Sequence, residues 1–224
     1  MFQFIPTKHW RETHPKASAG ILVMQGVSNP DFHPTLEDRK QSLEQELRSL
    51  YGGMDRSTLA ALPAIQAYNA YYKGYKKTYH VQLQLESLVF KGRSIPGMAA
   101  LVKAMFMAEL SNLLLTAGHD LSTIKVPLRL ESARGDEVYT TLQGIEKTLK
   151  NGDMYMQDGE GVISSVLYGP DARTQITPHT TDVLFAVYAP EGIDKASVKK
   201  HLVDLGHNMR LVSPAAQVEM LEVY

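Results

Sequence analysis

A histidine beside an aspartate, Gly118-His119-Asp120, closes the most apolar stretch of the chain, 97–118. Such a pair can activate a water and hold the charge that develops as the water attacks. The same residue types also serve as ordinary caps where a helix ends. A second group lies upstream, where Tyr68, Tyr71, Tyr72 and Tyr75 interleave with Lys73, Lys76 and Lys77. Aromatic faces set between ammonium groups can stack bases and hold phosphates, which makes Lys73, Lys76 and Tyr72 candidate RNA contacts. The alternative is a row of half-buried tyrosines over the core, with the lysines keeping the surface soluble.

Other chemistries find little support. The chain has no cysteine, which removes disulfides, thiolate zinc sites and cysteine nucleophiles together. Its eight histidines, His9, His14, His33, His80, His119, His179, His201 and His207, form neither a helical i, i+4 pair nor a short-spaced cluster. No metal and no cofactor are expected. His201 and His207 flank the last expected helix and read as surface residues. There is no glycine-rich phosphate loop and no Gly-x-Ser-x-Gly elbow.

The elements that must position these residues can be read from periodicity. An apolar run over 19–27 ends at Ser28-Asn29-Pro30 and reads as a buried strand. A helix follows, with Thr35 as its cap, Leu36, Leu43, Leu47 and Leu50 on one face, and Gly52-Gly53 as its stop. A second helix is expected over 63–76. The segment 81–90 fits strand or helix, with helix preferred. A long buried helix is expected over 96–116, with Gly118 just past its end. From Leu121 onward the texture changes to short alternating runs separated by turns, as in an antiparallel sheet. The tail returns to a helix over 197–205, stopped by Gly206, and a last strand over 218–223.

The whole fits an α+β protein, a single unit over 1–224 in which antiparallel and mixed sheets form a sandwich-like core flanked by helices. With 224 residues the chain is long enough to bury a sizeable core. The 44% apolar and 21% charged fractions are ordinary for a globular protein. Lys and Arg number 23 against 24 Asp and Glu, a net charge of −1. That argues against bulk electrostatic gripping of nucleic acid, and no DNA partner is expected. The opening stretch from Met1 to Pro6 lacks the charged start and long apolar run of a signal peptide, and no membrane span is expected. A cytoplasmic location follows from that reading.

Three ordered segments give the chain a relative. Val138-Tyr139-Thr140-Thr141-Leu142-Gln143-Gly144 comes first, then Gly152-Asp153-Met154-Tyr155-Met156-Gln157-Asp158. Ile176-Thr177-Pro178-His179-Thr180-Thr181-Asp182-Val183-Leu184-Phe185 comes third. Together they resemble the editing module, the third and fourth domains, of the phenylalanyl-tRNA synthetase β chain. Ser111-Asn112-Leu113-Leu114-Leu115-Thr116-Ala117-Gly118 occupies the place of that module's helix ending in glycine. Stand-alone relatives share the Gly26-Val27-Ser28-Asn29 and Lys91-to-Pro96 types of stretch, and carry Asp and Asn where this chain has Lys103 and Phe106. The resemblance is strongest over 91–188.

The resemblance implies a protein that binds tRNA, or the 3′ end of an aminoacyl-tRNA, and hydrolyses the ester of a mischarged amino acid in trans. An aminoacyl ester is already activated, so a positioned water and a few donors suffice, with no metal or covalent nucleophile. The roles implied are catalytic for Asn112, His119 and Asp120, and substrate-binding for Asp158, Arg173, Thr177 and Thr181. The alternative is a non-catalytic tRNA- or amino-acid-binding module of the same fold.

Overall fold

The structure, a computed structural model, describes residues 3–224. Met1 and Phe2, the start of the stretch read for a signal peptide, lie outside the described residues. The elements in chain order are β1 (Phe4–Pro6), α1 (Lys8–Thr13), β2 (Ser18–Gln25), α2 (Pro34–Tyr51), α3 (Arg56–Ala60) and α4 (Pro63–Lys73). They continue with α5 (His80–Phe90), α6 (Ala100–Asn112), β3 (Thr116–Asp120), a 3-10 turn (Leu121–Thr123), β4 (Leu128–Ser132), β5 (Val138–Thr140) and β6 (Glu146–Thr148). The last are β7 (Met154–Asp158), β8 (Gly161–Ser165), β9 (Gly169–Pro170), β10 (Asp182–Ala189), α7 (Lys195–Arg210) and β11 (Gln217–Val223).

Two sheets carry the fold. The first has the order β11-β2-β10-β3 and is antiparallel throughout. Its β2 is apolar from Ala19 to Met24, except for Gly20, because both its faces are covered. The second sheet runs β1-β4-β7-β8-β9, with β1 parallel to β4 and the other pairs antiparallel. A small hairpin, β5–β6, lies beside it. The mixed α/β architecture agrees with the fold class expected from the sequence.

One face of the first sheet packs on α7. The other meets the second sheet, where the Ser164 hydroxyl of β8 lies 2.6 Å from the Tyr188 hydroxyl of β10. Tyrosines of α4 and the loop after it tie these layers together. Tyr68 donates to the Tyr188 carbonyl at 2.6 Å, Tyr72 to the Val166 carbonyl at 2.8 Å, and Tyr71 to the Asp153 carboxylate at 2.7 Å. Tyr79 stacks on Tyr68 with ring centroids 4.2 Å apart. Of the two readings of the tyrosine-lysine stretch, the buried one describes Tyr68 and Tyr72.

Four expectations about boundaries need correction. The long helix stops at Asn112, because Leu113 adopts the left-handed conformation (φ 58°). Gly118 therefore lies within strand β3 and caps no helix. The last helix runs through Gly206 to Arg210, and Gly206 faces Leu22 and Met24 of β2. His33, with Pro34 at the first helical position, precedes α2, so Thr35 lies inside the helix. The segment 81–90 is helical, as preferred.

The tightest helix–sheet approach is at Gly20. A β-carbon there would come 2.6 Å from Val198 Cγ1 and 3.0 Å from Leu202 Cδ1 of α7. Gly20→Val is expected to lower the unfolding free energy by about 2 kcal/mol, the usual scale of overpacking. Urea titration should show a lower midpoint with an unchanged slope. Gly53→Ala, where nothing lies within 4 Å, is the near-neutral control.

Candidate functional site

A cavity of about 560 Å³ opens between α5, α6, the start of β3 and the segment joining β8 to β9. That is the size of an ordinary small-molecule site. Its walls are largely apolar, with Met98, Val102, Met105, Leu115 and Val166 among them. The turn between β5 and β6 closes one side through Leu142 and Gln143. Polar groups are few: Glu109, His80, Gln84, Thr116, Ser165 and the hydroxyl of Tyr188.

The position of Glu109 follows from the end of α6. The Leu113 amide donates to the Glu109 carbonyl at 2.7 Å, closing the left-handed turn. Three residues later the Thr116 amide donates to Glu109 Oε1, also at 2.7 Å. The residue is only 3% exposed. Burial outweighs the Thr116 hydrogen bond and pushes the carboxyl up to about 8, so at neutral pH it is mostly protonated. His80 begins α5, with Nδ1 3.5 Å from the Tyr72 hydroxyl, and desolvation lowers its pKa. That favours the neutral imidazole.

Two ammonium groups converge at the rim. Lys77 Nζ lies 4.5 Å from the centroid of the Tyr168 ring, and Lys147 Nζ lies 6.0 Å from it. Tyr168 lines the cavity. Lys77 after α4 and Lys147 of β6 thus both lie over the ring of Tyr168, which follows β8.

The residues singled out from the sequence lie elsewhere. His119 is fully buried behind the cavity wall. Thr174 donates to the Asp171 carboxylate. Its hydroxyl oxygen therefore accepts from His119 Nδ1 at 2.7 Å, which leaves Nε2 to accept from Ser164 at 3.1 Å; the tautomer is assigned from this network. Tyr188 completes the chain through Ser164. Desolvation, with the charge of Arg173 adding to it and that of Asp158 opposing, holds the His119 pKa down to about 3. Asp120 instead caps the 3-10 turn, taking the Ser122 amide at 3.0 Å and the Thr180 hydroxyl at 2.6 Å. His119 and Asp120 are neighbours on a strand, so their side chains leave opposite faces and share no hydrogen bond.

Asn112 joins α6 to α7, donating to Asp204 at 2.9 Å and accepting from Lys200 at 3.0 Å. Asp158 and Arg173 do come together, at 2.8 Å. Asp158 also takes the Lys125 and Glu160 amides, while Arg173 is held by Glu160, Asp171 and the Thr123 carbonyl as well. The Thr177 amide donates to the Thr180 hydroxyl at 2.9 Å, and the Thr177 carbonyl accepts from Asn29 at 2.9 Å. Thr181 is exposed and donates to Asp182 at 2.8 Å. None of these seven residues lines the cavity. Lys73 and Lys76 are exposed, whereas Tyr72 is buried and presents no ring at the surface. His201, expected at the surface, is also fully buried, with Nε2 2.7 Å from the Thr116 hydroxyl.

The sequence did carry one signal for the cavity: Glu109 is the lone carboxylate of an apolar helix. His80 had none, and of the Lys77–Tyr168–Lys147 cluster only Lys77 was marked, within the tyrosine-lysine stretch, because the three come from distant segments. Among the described residues no three His, Cys, Asp or Glu side chains gather as a metal site would need. Nor is any helix among them long and apolar enough to cross a membrane.

The profile of the B3/4 domain family matches residues 65–210, which include every helix and strand around the cavity. This chain belongs to the B3/4 domain family. Over 80 residues it is 31% identical to the phenylalanine–tRNA ligase beta subunit of Fusobacterium nucleatum, a match covering 35% of this chain and 10% of that subunit. Its fold is similar to that of an N-terminal fragment of the phenylalanyl-tRNA synthetase β-subunit from Pyrococcus horikoshii, with a TM-score of 0.50 at 13% identity. That superposition covers 99% of this chain and 54% of the fragment. The B3/4 chain is thus a relative of a synthetase β-subunit module and corresponds to only part of those proteins.

The buried histidine of this B3/4 domain has a measurable consequence. An unfolded chain protonates His119 below pH ~6.5, whereas the folded one resists down to about 3. In that window the unfolded state binds the extra proton, so the His119 contribution to stability falls as pH falls. His119→Gln should cost about 2 kcal/mol at neutral pH through lost hydrogen bonds. It also removes the titration, so the gap between wild type and variant should shrink by roughly 2 kcal/mol between pH 7 and 5. Denaturant titrations at both pH values give the comparison; a constant gap would mean that His119 is not held neutral.

Proposed function

We propose that this B3/4 domain receives the aminoacyl-bearing 3′ end of a tRNA and hydrolyses the ester there with water. The observation that carries the reading is the rim of the cavity, an aromatic ring with two ammonium groups over it, beside an apolar chamber of amino-acid size. The amino-acid side chain enters the chamber, and the phosphate of the terminal nucleotide lies between Lys77 and Lys147. The relation to synthetase β subunits supports a tRNA ligand, and charged tRNA places the work in the cytoplasm.

His80 is the general base in this reading. A neutral imidazole at the cavity can take a proton from water as the water attacks the acyl carbon. The acyl–oxygen bond then breaks, the ribose hydroxyl recovers the proton, and a free amino acid leaves. Neither His119 nor Asp120 has a part in these steps. Their engagement inside the protein instead favours the second reading, a binding module without chemistry.

A deacylation assay across a panel of correctly and wrongly charged tRNAs separates the two. Hydrolysis predicts release above the uncatalysed rate for at least one pair, reduced about 100-fold or more by His80→Gln while tRNA affinity holds. The rate should be flat through neutral pH and fall on the acid side, since His80 titrates below its ordinary value. Lys77→Ala with Lys147→Ala should weaken tRNA binding and remove a salt slope of roughly −1.4, two single-strand phosphate contacts' worth. Binding with no release from any pair would leave the non-catalytic reading.

A further inference from the structure

Glu109 is an ionisable group in the cavity whose hydrogen-bonding capacity the protein leaves half used. Oε1 accepts the Thr116 amide, while Oε2 takes no hydrogen bond from the described residues. The residue is 3% exposed and lines the chamber. A carboxyl group in an apolar wall costs several kcal/mol unless a partner meets it (~2–7 kcal/mol for a neutral polar group). A ligand that enters the chamber can supply that partner.

The neighbours define its charge. From α5 comes His80, its neutral form favoured by burial. From α4 and the loop after it come Tyr68, Tyr72 and Tyr79, whose pKa values are all raised by the nearby carboxylate as well as by burial. From β10 comes Tyr188, also raised by burial. The lysines of the rim are on Tyr168. No cation is among the influences on Glu109.

We propose that Glu109 reads a protonated amine, so the cavity takes apolar ligands of amino-acid size that carry an ammonium group. The proposal rests on the reading of this cavity as an aminoacyl site and deepens it by naming the group of the ligand that is recognised. An aminoacyl ester presents an ammonium and no carboxylate. A free amino acid brings a carboxylate close to Glu109 and is repelled, which favours release of the hydrolysis product. The carboxyl group, mostly protonated when the cavity is empty, gives up its proton as the ammonium binds.

The test uses the full chain and two small probes, phenethylamine and the neutral phenethyl alcohol, in titration calorimetry at pH 7 in phosphate and in Tris. The amine should bind at least about tenfold more tightly than the alcohol, the equivalent of one pKa unit of charge discrimination. Its heat should depend on the buffer in a way that reports release of close to one proton. Glu109→Gln, which keeps the acceptor for the Thr116 amide, should lose both the amine preference and the proton release while binding the alcohol as before. Equal affinities for the two probes, no proton release, no binding of either, or a preference that survives Glu109→Gln would each overturn the proposal. An amine preference in a protein that neither binds nor deacylates charged tRNA overturns the tRNA reading and leaves this one standing. Turnover of charged tRNA with no amine preference overturns this one alone.

Discussion

The turn between α6 and β3 is the constraint on which the cavity depends. Within three residues a helix becomes the edge strand of a sheet, and four hydrogen bonds hold the change of direction. The Leu113 amide returns to the Glu109 carbonyl, and Thr116 binds the Glu109 carboxyl. Tyr79 donates to the Leu113 carbonyl at 3.0 Å, and the Leu115 amide donates to the Tyr68 hydroxyl at 2.9 Å. A leucine at positive φ costs about 1–2 kcal/mol, which these bonds offset. One carboxyl thus fixes the geometry of the turn and also faces the chamber that the turn creates. The arrangement places a group with spare hydrogen-bonding capacity where no surface side chain could be held as firmly.

The polar residues of the interior divide into two kinds. His119, Ser164, Thr174, Asp171 and Tyr188 form a chain in which each donor has an acceptor, so they rigidify the contact between the two sheets. Asp153, with Tyr71 on one side and the Leu167 amide 3.4 Å away on the other, does the same beneath the tyrosine cluster, and burial raises it to about 7. Glu109 is of the other kind. The distinction matters more than burial or pKa shift alone, because shifted groups occur in both. Satisfied networks hold structure, and a half-satisfied group at a cavity implies a partner from outside.

What the sequence could show follows from the range of the interactions involved. The helices over Pro34–Tyr51 and Pro63–Lys73, the apolar strand Ser18–Gln25 and the closely spaced antiparallel strands after Leu121 were legible, because periodicity and turn residues are local signals. The ordered segments around Thr140, Gln157 and Thr177 pointed to the synthetase relative. The pairing of His119 with Asp120 misled, because it presumed a helix end. On a strand, neighbours point apart, and one went to the sheet interface and the other to a cap. Gly206 misled in a similar way: glycine reads as a helix stop, but here it lies inside α7 with negative φ and the helix continues to Arg210. The cationic ring at Tyr168 assembles residues from three distant segments, and nothing local marks such a convergence.

The net charge of −1 takes on a different meaning once the charges are placed. Arg173, a natural phosphate ligand by type, is surrounded by Asp158, Glu160 and Asp171 and has little positive potential left to offer. Lys103 and Lys40 both pair with Glu37, and Lys200 pairs with Asp204. Part of the chain's positive charge is therefore spent within the fold. Lys77 and Lys147 differ in being turned to an aromatic face beside a cavity, where a cation loses little by ion pairing and gains a directional role. A weakly charged protein can recognise a charged ligand in this way, by geometry at one rim and not by its overall field. Long-range attraction is weak on this arrangement, and discrimination falls to the chamber and to the carboxyl group in its wall.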